Sequence, residues 1–172
     1  MNLIILSDRI SKFLMVLAAV WAFALTFLIL ADIIGRGVFA VPINGTAELV
    51  TASIVIIVFL QAGYAIRSRS MLHADFLVVH LPPVLQRFLL AFGYLLGALF
   101  FLMIITGGWE ESIRSFTEGE YEGEGAIRVP SWPARWTVLL GSGLAMINYL
   151  VMAYLDIFNP ELLEGQVELE KP

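Results

Sequence analysis

Four long uncharged apolar runs dominate the chain, and short polar segments separate them. The runs cover Phe13–Ala31, Leu49–Ile66, Phe88–Gly108 and Trp136–Leu155. As a helix, each run is long enough to cross about 30 Å of hydrocarbon. Backbone exposed to lipid must form its hydrogen bonds within its own segment, so the runs predict four transmembrane α-helices. The expected fold class is all-α, an integral membrane four-helix bundle built from a single domain, residues 1–172.

The stretch between the second and third runs has a different pattern. Arg67 and Arg69 follow the second run at once and are expected among lipid headgroups. The apolar residues after them recur on one helical stripe: Leu72, Phe76, Leu77 and Leu81. This pattern predicts a short amphipathic helix lying in the membrane plane over residues 70–82.

The composition supports a membrane protein. Of the 172 residues, 59% are hydrophobic and only 15% are charged, and the mean hydropathy is +0.86. These values are too apolar for a soluble domain of this length. The absence of cysteine excludes disulfides, thiolate metal sites and cysteine nucleophiles. The net charge of −5 comes from acidic segments, so nothing suggests a nucleic-acid partner.

The basic residues are divided unevenly between the two sides of the membrane. The side that holds the termini carries Arg9, Lys12, Arg67, Arg69, Arg87 and Lys171, and the other side carries Arg36, Arg114, Arg128 and Arg135. Basic residues accumulate on the cytoplasmic side, so both termini are expected in the cytoplasm. This orientation places an acidic loop, residues 109–131, in the periplasm and the acidic tail, residues 156–172, in the cytoplasm.

Charged residues flank the first connection. Asp32 and Arg36 are four residues apart, a spacing at which helical side chains can pair. Glu48 lies in the expected first turn of the second helix. Its carboxylate could interact with the helix dipole, or it could pair at the membrane edge with a basic residue of another subunit.

The third connection is rich in glutamate. Glu118, Glu120, Glu122 and Glu124 alternate with other residues, so an extended strand would place all four carboxylates on one face. Such a face could bind calcium or a basic partner, whereas repelling charges with interspersed glycine are more typical of a solvated mobile loop.

Histidine spacing does not indicate a metal site. His73 and His80 are seven residues apart, too far along a helix for the usual metal-binding pair. His73 and Asp75 are therefore expected to be ordinary polar residues of the membrane interface.

Small residues predict close helix packing. Gly93 and Gly97 form a GxxxG pair in the third run, and Gly141 and Ala145 have the same spacing in the fourth. These positions allow helices to approach closely, either within the chain or with a second protein.

The apolar runs contain no Asp, Glu, Lys, Arg or His, and the sequence has no HExxH, GxSxG or Walker motif. Ion-coupled carriers usually need ionisable groups or broken helices near the middle of the membrane. The chain is therefore predicted to be neither an enzyme nor a cofactor-binding protein, but a scaffold that assists another membrane protein.

The order of several short motifs resembles a known family. Gly45-Thr46-Ala47-Glu48 opens the second span, Arg67 to Asp75 has the form R-x-R-x-x-x-H-x-D, and Val129-Pro130-Ser131-Trp132-Pro133 opens the fourth span. Over nearly the whole chain this order resembles the small membrane subunit, DctQ-like, of tripartite ATP-independent periplasmic (TRAP) transporters.

This resemblance implies a four-span subunit of the bacterial inner membrane, surrounded by membrane lipids. It would bind a large multi-span TRAP membrane subunit that carries the transport path, while a periplasmic substrate-binding protein delivers an organic acid. Uptake would be driven by sodium. The residues expected at the partner interface are Asp32, Arg36, Glu48, Arg67, His73 and Asp75, and Glu118, Glu120, Glu122 and Glu124 are candidates for docking the binding protein.

An alternative hypothesis is a self-sufficient protein. A homo-oligomeric small membrane channel or exporter could form its pore by multimerisation around Gly93 and Gly97.

Overall fold

The computed structural model describes residues 2–68, 82–122 and 128–158. They form helices α1 (Asn2–Phe39), α2 (Thr46–Arg67), α3 (Pro83–Thr117) and α4 (Trp132–Phe158), with strands β1 (Tyr121–Glu122) and β2 (Val129–Pro130) between α3 and α4. All four helices are long and apolar enough to cross a membrane, which confirms the four predicted helical spans. Most of the predicted in-plane helix, residues 70–82, lies outside the described residues.

The helices extend beyond the uncharged runs. α1 has 38 residues and is therefore about 57 Å long, almost twice the thickness of the hydrocarbon layer. Its additional turns carry charges that pair along the helix, such as Lys12 Nζ at 3.5 Å from Asp8 Oδ2. α3 likewise continues to Thr117, where Arg114 pairs with Glu111 at 2.9 Å. Pairs at these spacings stabilise helix outside the apolar run.

The helices pack in the order α1, α2, α4, α3. α4 is the most buried helix and α1 the least. α1 and α2 are antiparallel, as are α3 and α4, whereas the adjacent α2 and α4 run parallel, with Phe59 against Gly141 and Arg67 against Met152. The helix ends lie on two sides, so the molecule has two ends. We call the end that holds the start of α1 and Arg67 the near end, and the end that holds Phe39 and Thr117 the far end.

Small residues set the closest helix contacts. A Cβ atom on Gly141 of α4 would collide with the Phe59 backbone of α2. A Cβ atom on Gly97 of α3 would lie 2.7 Å from the ring of Tyr149 of α4. Ala145 is fully buried, in a cluster that includes Ile66 and Phe101. The absence of larger side chains is therefore what lets α4 pack against both neighbours.

Gly93 differs from these residues. A Cβ atom at Gly93 would meet no other atom within 4 Å, so this glycine does not support helix packing within the described part of the chain. The GxxxG pair of the third run therefore acts inside the chain through Gly97 alone.

The four helices are arranged as an open row. α1 and α3 stand at opposite edges of the row and share no extensive contact. Large apolar side chains on both edge helices remain exposed, among them Phe23 and Phe27 on α1 and Phe100 and Met103 on α3. Lipid tails are as apolar as these side chains, so the membrane provides no hydrophobic force that would close the row.

The buried side-chain amide of Asn148, close to the near end, joins three helices. Asn148 of α4 is fully buried, and its Oδ1 accepts a hydrogen bond from Ser7 Oγ at 2.7 Å. Its Nδ2 lies 3.2 Å from Ser11 Oγ and donates to the Gly63 carbonyl of α2 at 3.1 Å. Because Ser7 and Ser11 belong to α1, this one side chain connects α1, α2 and α4.

Replacing Asn148 by leucine is expected to destabilise the fold. The change removes all three contacts and leaves the Ser7 and Ser11 hydroxyls without Asn148, so the free energy of unfolding should fall by roughly 1–2 kcal/mol. Reversible unfolding in mixed detergent micelles measures this difference. Ser142→Ala is the matched control on the same helix, since the Ser142 hydroxyl is buried and has no hydrogen-bond partner among the described residues. Equal stability of both variants would contradict the proposed role of Asn148.

Candidate partner-binding site

The connection between α1 and α2, residues 40–45, is a tight reversal that we call the α1–α2 turn. Two residues in it have a positive φ, Ala40 at 53° and Gly45 at 81°. Glycine adopts this conformation easily, whereas alanine does so at a cost of about 1–2 kcal/mol. The Val41 amide donates to the Gly35 carbonyl at 3.1 Å and closes the end of α1.

Asp32 holds this turn in place. Its Oδ2 lies 2.6 Å from Arg36 Nη2, so the pair predicted from the i,i+4 spacing forms. Its Oδ1 accepts a hydrogen bond from the Ile43 amide at 2.8 Å, and the Thr46 hydroxyl donates to the Ile43 carbonyl at 2.9 Å. The Asp32 side chain is buried, whereas Arg36 is 58% exposed. Of the two, Arg36 is the one available to another molecule.

Glu48 lies in the first turn of α2 and is half-buried. Among the residues that the structure describes, no basic side chain forms an ion pair with it. A carboxylate at the start of a helix interacts favourably with the helix dipole. That interaction leaves its oxygens able to accept further hydrogen bonds.

Arg67 takes a different position from the one expected. The sequence places it among lipid headgroups and at the partner interface, but its side chain is only 4% exposed. Its Nε lies 3.8 Å from Asp8 Oδ1 of α1, and its Nη1 lies 3.7 Å from Met152 Sδ of α4. The guanidinium therefore joins helices of its own chain, next to the Asn148 cluster, and offers a partner little surface.

At the far end, two arginines and two glutamates form a closed ion-pair network. Arg114 contacts Glu111 at 2.9 Å and Glu120 at 3.0 Å. Arg135 contacts the same two carboxylates at 2.8 and 2.9 Å. Since Arg114 belongs to α3 and Arg135 to α4, the network joins these helices to the segment that leads into β1.

The network corrects two expectations about the glutamates of this segment. α3 continues through the first part of the expected 109–131 loop, and the amide of Glu118 still donates to the carbonyl of Arg114. Gly119 then reverses the chain with φ 64°. Glu118 and Glu120 therefore do not lie on one face of a strand. Glu120 is fixed by two ion pairs rather than held in a solvated mobile loop.

The segment after Glu120 is a short hairpin. Tyr121 pairs with Pro130 and Glu122 with Val129 in antiparallel register. The amide and hydroxyl of Ser131 both donate to the Glu120 carbonyl at 3.0 Å. Glu124 lies outside the described residues, between the two strands of this hairpin.

Aromatic side chains join α3 and α4 beside the network. Trp109 and Trp136 meet edge to face with their ring centroids 6.4 Å apart, and Phe116 and Trp132 do so at 5.7 Å. Trp109, Phe116 and Trp132 remain between 41% and 61% exposed. Tryptophan is enriched where a membrane meets water, so these pairs suit that level of the molecule.

Two of the residues predicted at the interface, His73 and Asp75, lie outside the described residues. Within the described ranges, no group of three or more His, Asp or Glu side chains could hold a metal ion. The structure thus places Asp32, Arg36 and Glu48 at the far end around one turn, and it separates them from Arg67 at the near end.

Sequence reasoning missed two features of these sites. The bond from Asp32 to the Ile43 amide and the Arg135 contacts with Glu111 both connect residues that are distant in sequence. An acidic residue about two turns before the end of a helix, followed by a glycine- and proline-containing turn, is the signal that could have indicated the bond from Asp32 to Ile43. The contacts of Arg135 with Glu111 have no local signal in the sequence.

Comparison with known protein families identifies the chain. No curated protein matches it significantly. Residues 25–159 match the family model described as tripartite ATP-independent periplasmic transporters, DctQ component, and the match covers the last part of α1 and the whole of α2, α3 and α4. The chain therefore belongs to the DctQ family and is a small membrane component of a tripartite ATP-independent periplasmic transporter.

Proposed function

We propose that this chain is a non-catalytic scaffold that anchors the large multi-span subunit of a sodium-driven, binding-protein-dependent uptake system for an organic acid. The open row of helices is the observation that carries this proposal. α1 buries one narrow stripe, on which Ser7, Ser11, Ala18 and Asp32 recur, and leaves most of its circumference uncovered. Such an apolar edge suits a partner membrane protein.

The distribution of charge favours a role in which this chain assists another subunit and does not itself move the solute. Within the described residues, the ion pairs lie at the near end and the far end, and the apolar runs between them contain no charged residue. Moving a polar solute usually requires polar groups near the middle of the membrane. On this proposal the large subunit supplies them.

We also propose that the near end faces the cytoplasm. Arg9, Lys12 and Arg87 lie at that end, and cytoplasmic segments are enriched in basic residues. The far end, with its hairpin and ion-pair network, would then face the periplasm, where the substrate-binding protein docks.

The alternative of a homo-oligomeric channel or exporter built around Gly93 and Gly97 has less support. Gly97 packs against Tyr149 of α4, so the two glycines do not form one free face.

Recovery of the native complex tests the scaffold. Extraction of the full chain in mild detergent, followed by mass spectrometry, should yield one large multi-span protein in about equal amount. The binding protein is expected in addition when substrate is present. Recovery of the chain alone, as a defined oligomer, would contradict the proposal and favour the channel.

Glu48→Lys tests whether Glu48 binds a basic group of the large subunit. Such a pair at the edge of the membrane should contribute more than the roughly 1 kcal/mol typical of a surface pair, so recovery of the large subunit should fall at least about fivefold. Glu48→Gln should show an intermediate loss. Glu110→Lys is the matched control, since Glu110 is an exposed carboxylate on α3 at the same end. Undiminished recovery with Glu48→Lys would remove Glu48 from the interface.

Changing Glu118, Glu122 and Glu124 together to glutamine tests docking of the binding protein. Glu120 is left intact because it holds the ion-pair network. If the carboxylates steer a basic surface, association of the binding protein should slow by roughly 2–10-fold at low salt, and the difference should vanish at high salt. Glu110→Gln serves as the control. Equal association rates at both salt concentrations would exclude a steering role.

A further inference from the structure

The end of α1 and the α1–α2 turn expose an unusual number of apolar side chains. Val38 is 71% exposed, Phe39 70%, Val41 64% and Ile43 40%. Connections between helices normally lie in water and are polar. An apolar surface of this kind, on a segment without regular structure, indicates that something other than water covers it.

The backbone amides at residues 41–43 of the α1–α2 turn need no hydrogen bond from water. The Val41 amide donates to the Gly35 carbonyl, Pro42 has no amide hydrogen, and the Ile43 amide donates to the buried carboxylate of Asp32. Three consecutive residues therefore leave no amide hydrogen that needs a water molecule. Irregular backbone survives next to lipid only when its polar groups find partners within the protein.

The length of α2 sets the level of the turn in the membrane. α2 has 22 residues and is about 33 Å long, which nearly matches the hydrocarbon thickness of about 30 Å. α2 begins at Thr46, directly after the turn. If α2 spans the hydrocarbon layer, this length would place the turn at the boundary between the acyl chains and the headgroups, rather than above the membrane surface.

We propose that the α1–α2 turn is a lipid-binding element seated in the membrane interface, with its apolar side chains among the upper acyl carbons and Arg36 among the headgroup phosphates. Arg36 is 58% exposed while paired with Asp32, so part of its guanidinium can reach a phosphate.

A lipid fits this surface better than a protein does. Val38 and Phe39 are consecutive helical residues, so their side chains point about 100° apart. Val41 and Ile43 follow them in the turn, after the helix has ended. A protein surface would cover one side of such a segment, whereas a fluid lipid layer covers all sides.

Fluorescence of a single label tests the proposal, and the lack of native cysteine makes the labelling specific. Full-length Phe39→Cys is labelled with the environment-sensitive fluorophore NBD. It is then reconstituted in vesicles of phosphatidylethanolamine and phosphatidylglycerol, with and without the large subunit. Blue-shifted emission is expected, with strong quenching by lipids that carry a nitroxide near the headgroup and several-fold weaker quenching by iodide than for a label in water. Val41→Cys provides a second position if Phe39→Cys does not fold.

Tyr121→Cys is the matched control, because Tyr121 is an exposed side chain of the hairpin at the same end, 58% accessible. Its label should be quenched by iodide. Iodide quenching at residue 39 equal to that at residue 121 would overturn the proposal. A residue-39 label protected from both quenchers only when the large subunit is present would also overturn it, since a protein would then cover the turn. The comparison of residues 39 and 121 in vesicles without the large subunit does not depend on whether the chain acts as a scaffold.

The role of Asp32 provides a second test in the same labelled protein. Asp32→Ala removes the acceptor of the Ile43 amide, which then requires water, so iodide quenching at residue 39 should rise several-fold. Asp32→Asn keeps an oxygen that can accept this hydrogen bond and should keep the label protected. Equal quenching of the two variants would show that the bond to Ile43 does not hold the turn in the lipid.

Discussion

The association of these helices depends on a constraint set by lipid. In a bilayer, Leu and Phe gain little by leaving acyl chains for another helix, so contacts between helices must come from close backbone approach and from buried polar groups. The chain uses both on α4. Gly141 and Ala145 bring α2 close, Gly97 of α3 accommodates Tyr149, and Asn148 hydrogen-bonds to α1 and α2. α4 is for this reason the centre of the structure, although it comes last among the four described helices.

Ion pairs join the helices at both ends of the molecule. At the near end, Arg67 is enclosed by α1 and α4 beside Asp8, and at the far end Arg114 and Arg135 share the carboxylates of Glu111 and Glu120. The near-end pair is long at 3.8 Å, whereas the four far-end contacts lie between 2.8 and 3.0 Å. Exposed pairs contribute little singly, but a closed network in which each group has two partners restrains the hairpin more firmly. The far end therefore presents an ordered surface to the periplasmic side on the proposed orientation.

The sequence predicts interactions between neighbours along one helix, but it does not predict the contacts between helices. Uncharged runs predicted four helices, and the spacing of Asp32 and Arg36 predicted their pair, because both depend on neighbours along one helix. The order of the helices could not be predicted, since apolar residues on α1 and α3 look the same whether they face lipid or protein. The burial of Arg67 was missed because arginine after an apolar run usually reaches headgroups, and here Asp8 of another helix binds it instead. The partner-binding role of Arg36 and Glu48 stays a prediction, because it depends on a second chain.

The open row connects the packing of this chain to its place in a larger assembly. A closed bundle would hide the inner faces of α1 and α3, and a partner would then meet only lipid-facing surface. An open row offers a broad apolar edge at each side, and the ion pairs of the described residues lie at its two ends. Between these ends the edge carries no charge that a partner must neutralise, so shape and small residues would determine how the partner fits. A Cβ atom at Gly93 would meet no atom of the described residues within 4 Å, so another helix could approach closely at this position. The edge formed by α3 is thus as suitable for protein contact as the edge formed by α1. The apolar α1–α2 turn would place the α1 edge at a fixed depth in the membrane.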